Sequence, residues 1–230
     1  MGKYYVFYNN ATNIDYDLYV VTRPSKPTPR MQYEEKKVSG GKTIYMEKGY
    51  DDIPIPVSFN FNSKKPSEWD KDYRNIKSWL LGKVNKKLKF SDDLEVYYKV
   101  NKVEIDTPER VVKTIGRFTA TFTCDPYTYI EDEEMELPNI LYNNYEISQP
   151  NYRIVGNGEL IIKINGKDIK VNVGQEVLID TERGLTFREG DRNNVSLTGL
   201  YKDLYLQKGE NTFEYTGDFK VYITPNRRCL

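Results

Sequence analysis

The chain has 230 residues, and its 34 basic and 34 acidic side chains give a formal net charge of zero. This length is enough for one large or two small domains without disulfide staples, and the balanced charge gives no reason to expect a polyanionic partner such as nucleic acid. No segment approaches the roughly 20 apolar residues that span a bilayer, so we expect a soluble, cytoplasmically made protein with no membrane association.

The chemistry of catalysis is restricted because histidine is absent and Cys124 and Cys229 are the only thiols. Ser-His-Asp and Cys-His mechanisms and His-ligated metals are excluded, and two distant cysteines indicate neither zinc nor a disulfide framework. Carboxylates cluster at 51–52, 92–93 and 131–134. Adjacent strand residues point to opposite faces, so solvated turns and linkers are favoured over a cation or acid–base site. We predict no catalytic, cofactor or metal site.

Strand-like stretches rich in aromatic and β-branched residues dominate residues 1–130, the first predicted domain. Pro24, Pro27 and Pro29 interrupt them and predict an extended arm, because proline cannot donate to a strand ladder. Pro54 and Pro56, at alternate positions, predict an edge strand where another chain can dock. Protection of the edge of a monomer is the alternative interpretation of these prolines.

One amphipathic helix is predicted in the first half of the chain. Ser67 has the character of an N-cap, and Gly82 is a plausible end. The spacing of four, three and four places one set of apolar residues on a single helical face: Trp69, Tyr73, Ile76 and Leu80. Trp79 lies beside this stripe, and its burial is left open.

The second half of the chain changes character after residue 130. Acidic and polar residues over 131–151 predict a linker, and closely spaced strands over 152–230 predict a small antiparallel sandwich. Asn165-Gly166 is the clearest hairpin signal, because both central positions of a type I′ turn need positive φ. Residues 1–130 carry a net charge of +5 and the remainder −5, which reflects either drift in surface composition or two domains that face different neighbours.

Several blocks resemble, in order, the N-terminal belt domain of the distal tail proteins of long-tailed phages: GYDDIPIPVSFNF, IKSWLL, FSDD with YYKVNKV, and GRFTATFTCDPYTY. Three later blocks are similar to the C-terminal galectin-like domain of that family: YRIVGNGELIIKINGK, GENTFEYTG and VYITPNRRCL. The resemblance covers nearly the whole chain. The expected fold class is mainly β, with an α+β belt domain that has one main helix, followed by a galectin-like antiparallel β-sandwich.

The resemblance implies a structural virion protein at the tail tip of a phage or prophage, made in the bacterial host, rather than an enzyme. It implies a homo-oligomeric ring of six copies, paired back to back or stacked on the tail tube, with a central channel for DNA. The implied partners are the tail tube protein, the tape-measure protein, the tail-tip hub and receptor-binding parts. The proline arm and the edge strand are then candidate ring contacts.

A carbohydrate-binding adhesin module is the alternative function. Galectins hold a galactoside with a histidine-containing polar cluster and a tryptophan, whereas this chain has no histidine and no tryptophan after Trp79. Binding at that type of site is therefore not expected. Four tyrosines are candidates for stacking a glycan elsewhere, although tyrosines in strands are more typical of half-buried packing: Tyr201, Tyr205, Tyr215 and Tyr222.

Overall fold

The computed structural model describes residues 3–230, which separate into two compact units. The first unit ends at Thr128 and the second begins at Tyr129. Antiparallel strands dominate both units, and the described residues contain one α-helix. The expected mainly β fold class is confirmed.

Ten strands begin in the first unit, and one α-helix lies between the sixth and the seventh. The strands are β1 (Val6–Tyr8), β2 (Ala11–Thr12), β3 (Leu18–Val20), β4 (Met31–Lys37), β5 (Thr43–Tyr50), β6 (Ile53–Asn62), β7 (Lys87–Phe90), β8 (Asp93–Ile105), β9 (Glu109–Arg110) and β10 (Ile115–Ile130). The helix is α1 (Trp69–Leu80). A short 3₁₀ turn covers Asn13–Tyr16.

The main sheet of the first unit has the strand order β2-β1-β7-β8-β10-β6-β3, and β9 also pairs with β10. Alternation of buried and exposed residues along β6 sends Ile55, Val57 and Phe59 into the core, where they are fully buried. The same period of two places Phe118, Ala120 and Phe122 of β10 in that core.

Helix α1 packs its apolar face on this core. Trp69, Ile76 and Leu80 are buried, and Tyr73 is partly buried against the same cluster. Trp79 is buried too, because its indole N–H donates to the Tyr8 carbonyl at 2.8 Å and its ring finds aromatic neighbours. The predicted cap is wrong: Glu68, not Ser67, occupies the N-cap position, and no side chain caps the helix.

Cys124 lies at the centre of the first core, where it is completely buried. Burial and the nearby carboxylates of Asp125 and Asp52 raise the pKa of this thiol, so almost none of it is thiolate.

In a Cys229→Ser variant, where Cys124 is the remaining thiol, we expect a disulfide reagent at pH 8 to react at least about 100-fold more slowly with the folded chain than with the denatured chain. Equal rates before and after denaturation would contradict this burial.

Twelve strands lie in the second unit. They are β11 (Met135–Glu136), β12 (Ile140–Asn143), β13 (Asn151–Val155), β14 (Gly158–Ile164), β15 (Lys167–Val173), β16 (Glu176–Asp180), β17 (Leu185–Arg188), β18 (Asp191–Arg192), β19 (Leu197–Thr198), β20 (Gly209–Tyr215), β21 (Lys220–Thr224) and β22 (Arg228–Cys229). Short 3₁₀ turns cover Asn194–Ser196 and Tyr201–Leu204.

Two antiparallel sheets form the second unit, one in the order β11-β21-β13-β16-β17-β18 and the other in the order β12-β20-β14-β15-β19. Both sheets send side chains into a single apolar core, as expected for a sandwich. The predicted hairpin is confirmed: β14 and β15 are joined by Asn165 at φ 50° and Gly166 at φ 81°, with Ile164 opposite Lys167.

Residues 131–151, predicted to be a linker, instead form part of the second unit. Strand β11 pairs with β21, and β12 pairs with β20. The acidic run is also tied down, because the buried carboxylate of Asp132 accepts hydrogen bonds from the Arg227 guanidinium and backbone N–H. The acidic and polar composition of this segment therefore reflects strands at sheet edges and ion pairs such as Asp132 with Arg227, rather than a free connector.

Candidate assembly interface

Strands β4 and β5 form a two-stranded hairpin whose pairing is separate from the main sheet. Pairing runs from Met31 opposite Tyr50 to Lys37 opposite Thr43. Gly40 and Gly41 adopt positive φ in the turn, where the N–H of Val38 donates to the Lys42 carbonyl at 2.9 Å. The hairpin is thus well defined by its own backbone hydrogen bonds.

Both faces of this hairpin carry large apolar side chains that are exposed to solvent. Tyr33 and Tyr45 share one face, with ring centroids 6.3 Å apart, and are 54% and 60% exposed. Ile44 and Met46 lie on the other face and are 46% and 40% exposed. An isolated two-stranded hairpin is at best marginally stable in water, so a partner that covers these residues stabilises it.

The base of the hairpin is fixed to the first unit. Tyr50 packs edge-to-face on Tyr127, with centroids 6.2 Å apart. The Gln32 amide donates to the Asp51 carboxylate, and the Asp51 N–H donates to the Arg30 carbonyl at 2.9 Å. These contacts hold the root of the hairpin in place, so its exposed apolar residues are presented in a defined direction from the unit.

The predicted proline arm covers residues 23–30, which form neither helix nor strand. Pro24, Pro27 and Pro29 are half-buried. At two points the arm contacts the unit beneath it: the Lys26 ammonium lies 5.2 Å from the centre of the Phe90 ring, and Arg23 pairs with Asp92 at 3.3 Å. The arm is therefore laid along the first unit and leads directly into the hairpin.

The two strand prolines, Pro54 and Pro56, lie where one edge of β6 is open. Strand β10 pairs with the whole of β6, whereas β3 pairs only near its far end. The Val21 N–H donates to the Ser58 carbonyl, so the backbone N–H and carbonyl groups of even-numbered residues in β6 face the side on which β3 lies. The nitrogens of Pro54 and Pro56 therefore point to the part of this edge that β3 leaves open. An added strand finds carbonyl acceptors here but no N–H donors, which limits pairing at this edge.

The carboxylate clusters of the sequence do not converge on a metal site, since the described residues contain no group of three or more potential His, Cys, Asp or Glu ligands. Asp92 accepts a hydrogen bond from the Tyr4 hydroxyl at 2.7 Å, and Asp52 accepts one from the Asn101 amide at 3.0 Å. Burial and Asp92 both raise the pKa of the Tyr4 hydroxyl. These carboxylates serve local structure.

The exposed hairpin was not singled out by sequence reasoning, although a signal for it exists. QYEEKK is mostly charged, and TIYMEK places Ile44, Tyr45 and Met46 in succession and so on both faces of its strand, whereas a strand with one buried face alternates apolar and polar residues cleanly. Strands of this kind have no face that belongs to the core. Their apolar residues therefore indicate contacts outside the unit.

Comparison with known families decides the class of the protein. The family model for the phage tail protein N-terminal domain matches residues 2–126, which is more than half of the chain. The chain belongs to this phage tail protein family. A search of curated protein sequences gives no match. Among the described residues, no helix is long and apolar enough to cross a lipid bilayer.

Solved structures extend the similarity of this phage tail protein to both units. The Dit protein of phage SPP1, described as a paradigm of the hub adsorption apparatus in phages that infect Gram-positive hosts, matches over 100% of both chains with a TM-score of 0.73 and 13% identity. A chain of the activated baseplate of phage P2 with calcium matches over 99% of this chain and 98% of its own, with a TM-score of 0.56 and 11% identity.

A second chain, from the activated p2 baseplate with strontium, gives a TM-score of 0.55 at 12% identity and covers 96% of this chain and 97% of its own. At such low identity the likeness concerns the fold. The expected resemblance to distal tail proteins is confirmed at that level: the phage tail protein shares the fold of Dit and baseplate subunits along nearly its whole length.

Proposed function

We propose that this phage tail protein is a structural ring subunit of the tail tip, with six copies around a central channel through which DNA passes. Its family and its likeness to Dit and baseplate subunits support a role in tail architecture rather than catalysis. The first unit forms the ring, and the second unit presents docking surfaces to other tail-tip components. Tail tube, tape-measure, hub and receptor-binding proteins are its proposed neighbours, in one ring or in two stacked rings.

The exposed β4–β5 hairpin is the observation that carries this proposal. A closed ring requires a heterologous contact, in which one surface of a copy meets a different surface of the next. A rooted hairpin with apolar residues on both faces is suited to such a contact, because it can lie between neighbouring surfaces and bury both faces. The arm with Pro24, Pro27 and Pro29 sets where the hairpin starts, and the edge at Pro54 and Pro56 is a second candidate contact.

Electron microscopy of the purified chain tests this proposal directly. We expect class averages with six-fold symmetry and a central hole. Particles without rotational symmetry, in the presence and absence of the tail tube protein of the same phage, would argue against a ring. Because the same images show whether rings occur singly or in stacked pairs, they also distinguish the two arrangements.

A further inference from the structure

The outer face of the six-stranded sheet in the second unit contains an open cavity of about 300 Å³. Its floor consists of two rows of side chains, because strand register places Thr224, Asn151 and Asp180 side by side on neighbouring strands. Arg153 and Leu178 stand opposite each other in the next row. Successive residues on one face of a strand are roughly 7 Å apart, so a ring the size of one sugar that lies on this face reaches side chains of both rows.

Arg153 is held in place on every side. Its guanidinium forms a two-pronged contact with Glu134, at 2.6 Å from Nη2 to Oε1 and 2.9 Å from Nε to Oε2, and Nη1 lies 3.5 Å from Glu176. The guanidinium also covers the Tyr222 ring, 4.1 Å from its centre. The hydrogen bonds from Arg153 lower the pKa of Glu134, so the pair stays ionised. The positive charge of Arg153 is thereby balanced within the protein.

The other polar groups of the cavity keep unused hydrogen-bonding capacity. The side-chain amide of Asn151 and the hydroxyl of Thr224 form no hydrogen bond to any other described side chain or backbone group. Asp180 accepts the Arg183 N–H at 2.9 Å through Oδ1, and its Oδ2 lies 4.0 Å from the Arg183 guanidinium, which is too far for a hydrogen bond and leaves Oδ2 able to accept one. The cavity therefore offers a carboxylate acceptor, an amide that both donates and accepts, and a hydroxyl.

An apolar wall completes the cavity. Leu178 is 40% exposed, and Phe187 stands opposite it on the neighbouring strand. Both side chains line the cavity. A ligand that fits this site has one apolar face for Leu178 and Phe187 and several hydroxyl groups for the polar row. It carries no net charge, because Arg153 and Asp180 are each paired within the protein, and the carboxylates of Glu134, Glu176 and Asp180 outnumber the guanidiniums of Arg153 and Arg183 and so repel anions.

We propose that this cavity binds a neutral saccharide. Pyranose rings have the required combination of a C–H face and vicinal hydroxyls, and paired donors and acceptors on planar side chains match such hydroxyls. The site contains neither histidine nor tryptophan, so it differs from the galectin arrangement that the sequence excludes. Tyr222, predicted as a possible stacking residue, has its ring covered by Arg153, and Phe187 takes the apolar role.

Methyl NMR on the full-length chain tests the proposal, because the Leu178 methyl groups line the cavity. Glucose, galactose and N-acetylglucosamine are the neutral probes, and glucuronate is the charged probe. We expect at least one neutral sugar to shift the Leu178 resonances with a Kd in the millimolar range, and glucuronate to bind at least about tenfold more weakly.

Two variants make the test specific. Asn151→Ala, within the polar row, is expected to raise the Kd at least about tenfold, because it removes a donor and an acceptor. Asn172→Ala, an exposed asparagine on β15 of the other sheet, is expected to leave the Kd unchanged. Absence of Leu178 shifts with every neutral sugar at about 50 mM, or equal binding by both variants, would overturn the proposal. Neither of these two results bears on the proposed ring, which is tested separately by the mass of the protein in solution.

Discussion

A Tyr45→Glu variant is expected to assemble much more weakly while its first unit stays folded. Tyr45 is 60% exposed on the hairpin, so the substitution removes no contact of the core. In the proposed ring, the neighbouring copy covers this residue, and an unpaired carboxylate is costly to bury there. Tyrosines at interfaces often contribute about 2 kcal/mol or more, so half-assembly should need at least about a thirtyfold higher protein concentration.

Tyr142→Glu is the matched control for this experiment. Tyr142 is also 60% exposed and also lies on a strand, β12 of the second unit, but it is outside the hairpin. Analytical ultracentrifugation of both variants over the same concentration range compares their assembly, and circular dichroism checks their folding. If Tyr45→Glu assembles as well as Tyr142→Glu, the hairpin is not a ring contact.

An Asn211→Leu variant is expected to destabilise the second unit by about 3–5 kcal/mol. Asn211 is completely buried, and its Oδ1 accepts hydrogen bonds from the Gln207 N–H at 2.8 Å and the Asn165 amide at 2.9 Å. Its Nδ2 donates to the carbonyls of Gln207 and Gly209. Leucine has a similar volume but leaves these buried groups without partners, each at a cost of about 1–3 kcal/mol.

Hydrogen exchange at the Phe213 amide measures this loss. That amide donates to the Asn139 carbonyl at 2.8 Å within the second unit, so its protection reports opening of the core. Asn172→Leu is the control, because Asn172 is exposed and a change there is expected to stay within about 0.5 kcal/mol. Equal protection in the two variants would show that the Asn211 network does not stabilise the sandwich.

Local sequence signals predicted those elements whose structure is determined by local chemistry. The Asn165-Gly166 turn requires positive φ at two consecutive positions, and few other dipeptides provide it. The stripe of Trp69, Ile76 and Leu80 follows the helical period, and it packs as expected. Trp79 lies outside that stripe, and its burial depends on the Tyr8 carbonyl, a partner 71 residues away.

Features that depend on distant partners were not predictable in this way. The segment over residues 131–151 has the composition of a linker, yet its strands pair with β20 and β21, which come about 70–90 residues later in the chain. The saccharide cavity likewise joins Asn151, Asp180 and Thr224 from three strands, and no short motif links them. Only the register of the folded sheet brings these side chains together.

The mass of the purified chain in solution tests the central claim most directly. Light scattering over a wide range of protein concentrations should give a six-fold or twelve-fold multiple of the 27.0 kDa subunit mass, corresponding to one ring or two. The Tyr45→Glu variant should reach the same multiple only at a protein concentration at least about thirtyfold higher. A mass of one subunit for the unmodified chain at every concentration would contradict the account of this protein as a self-assembling ring subunit.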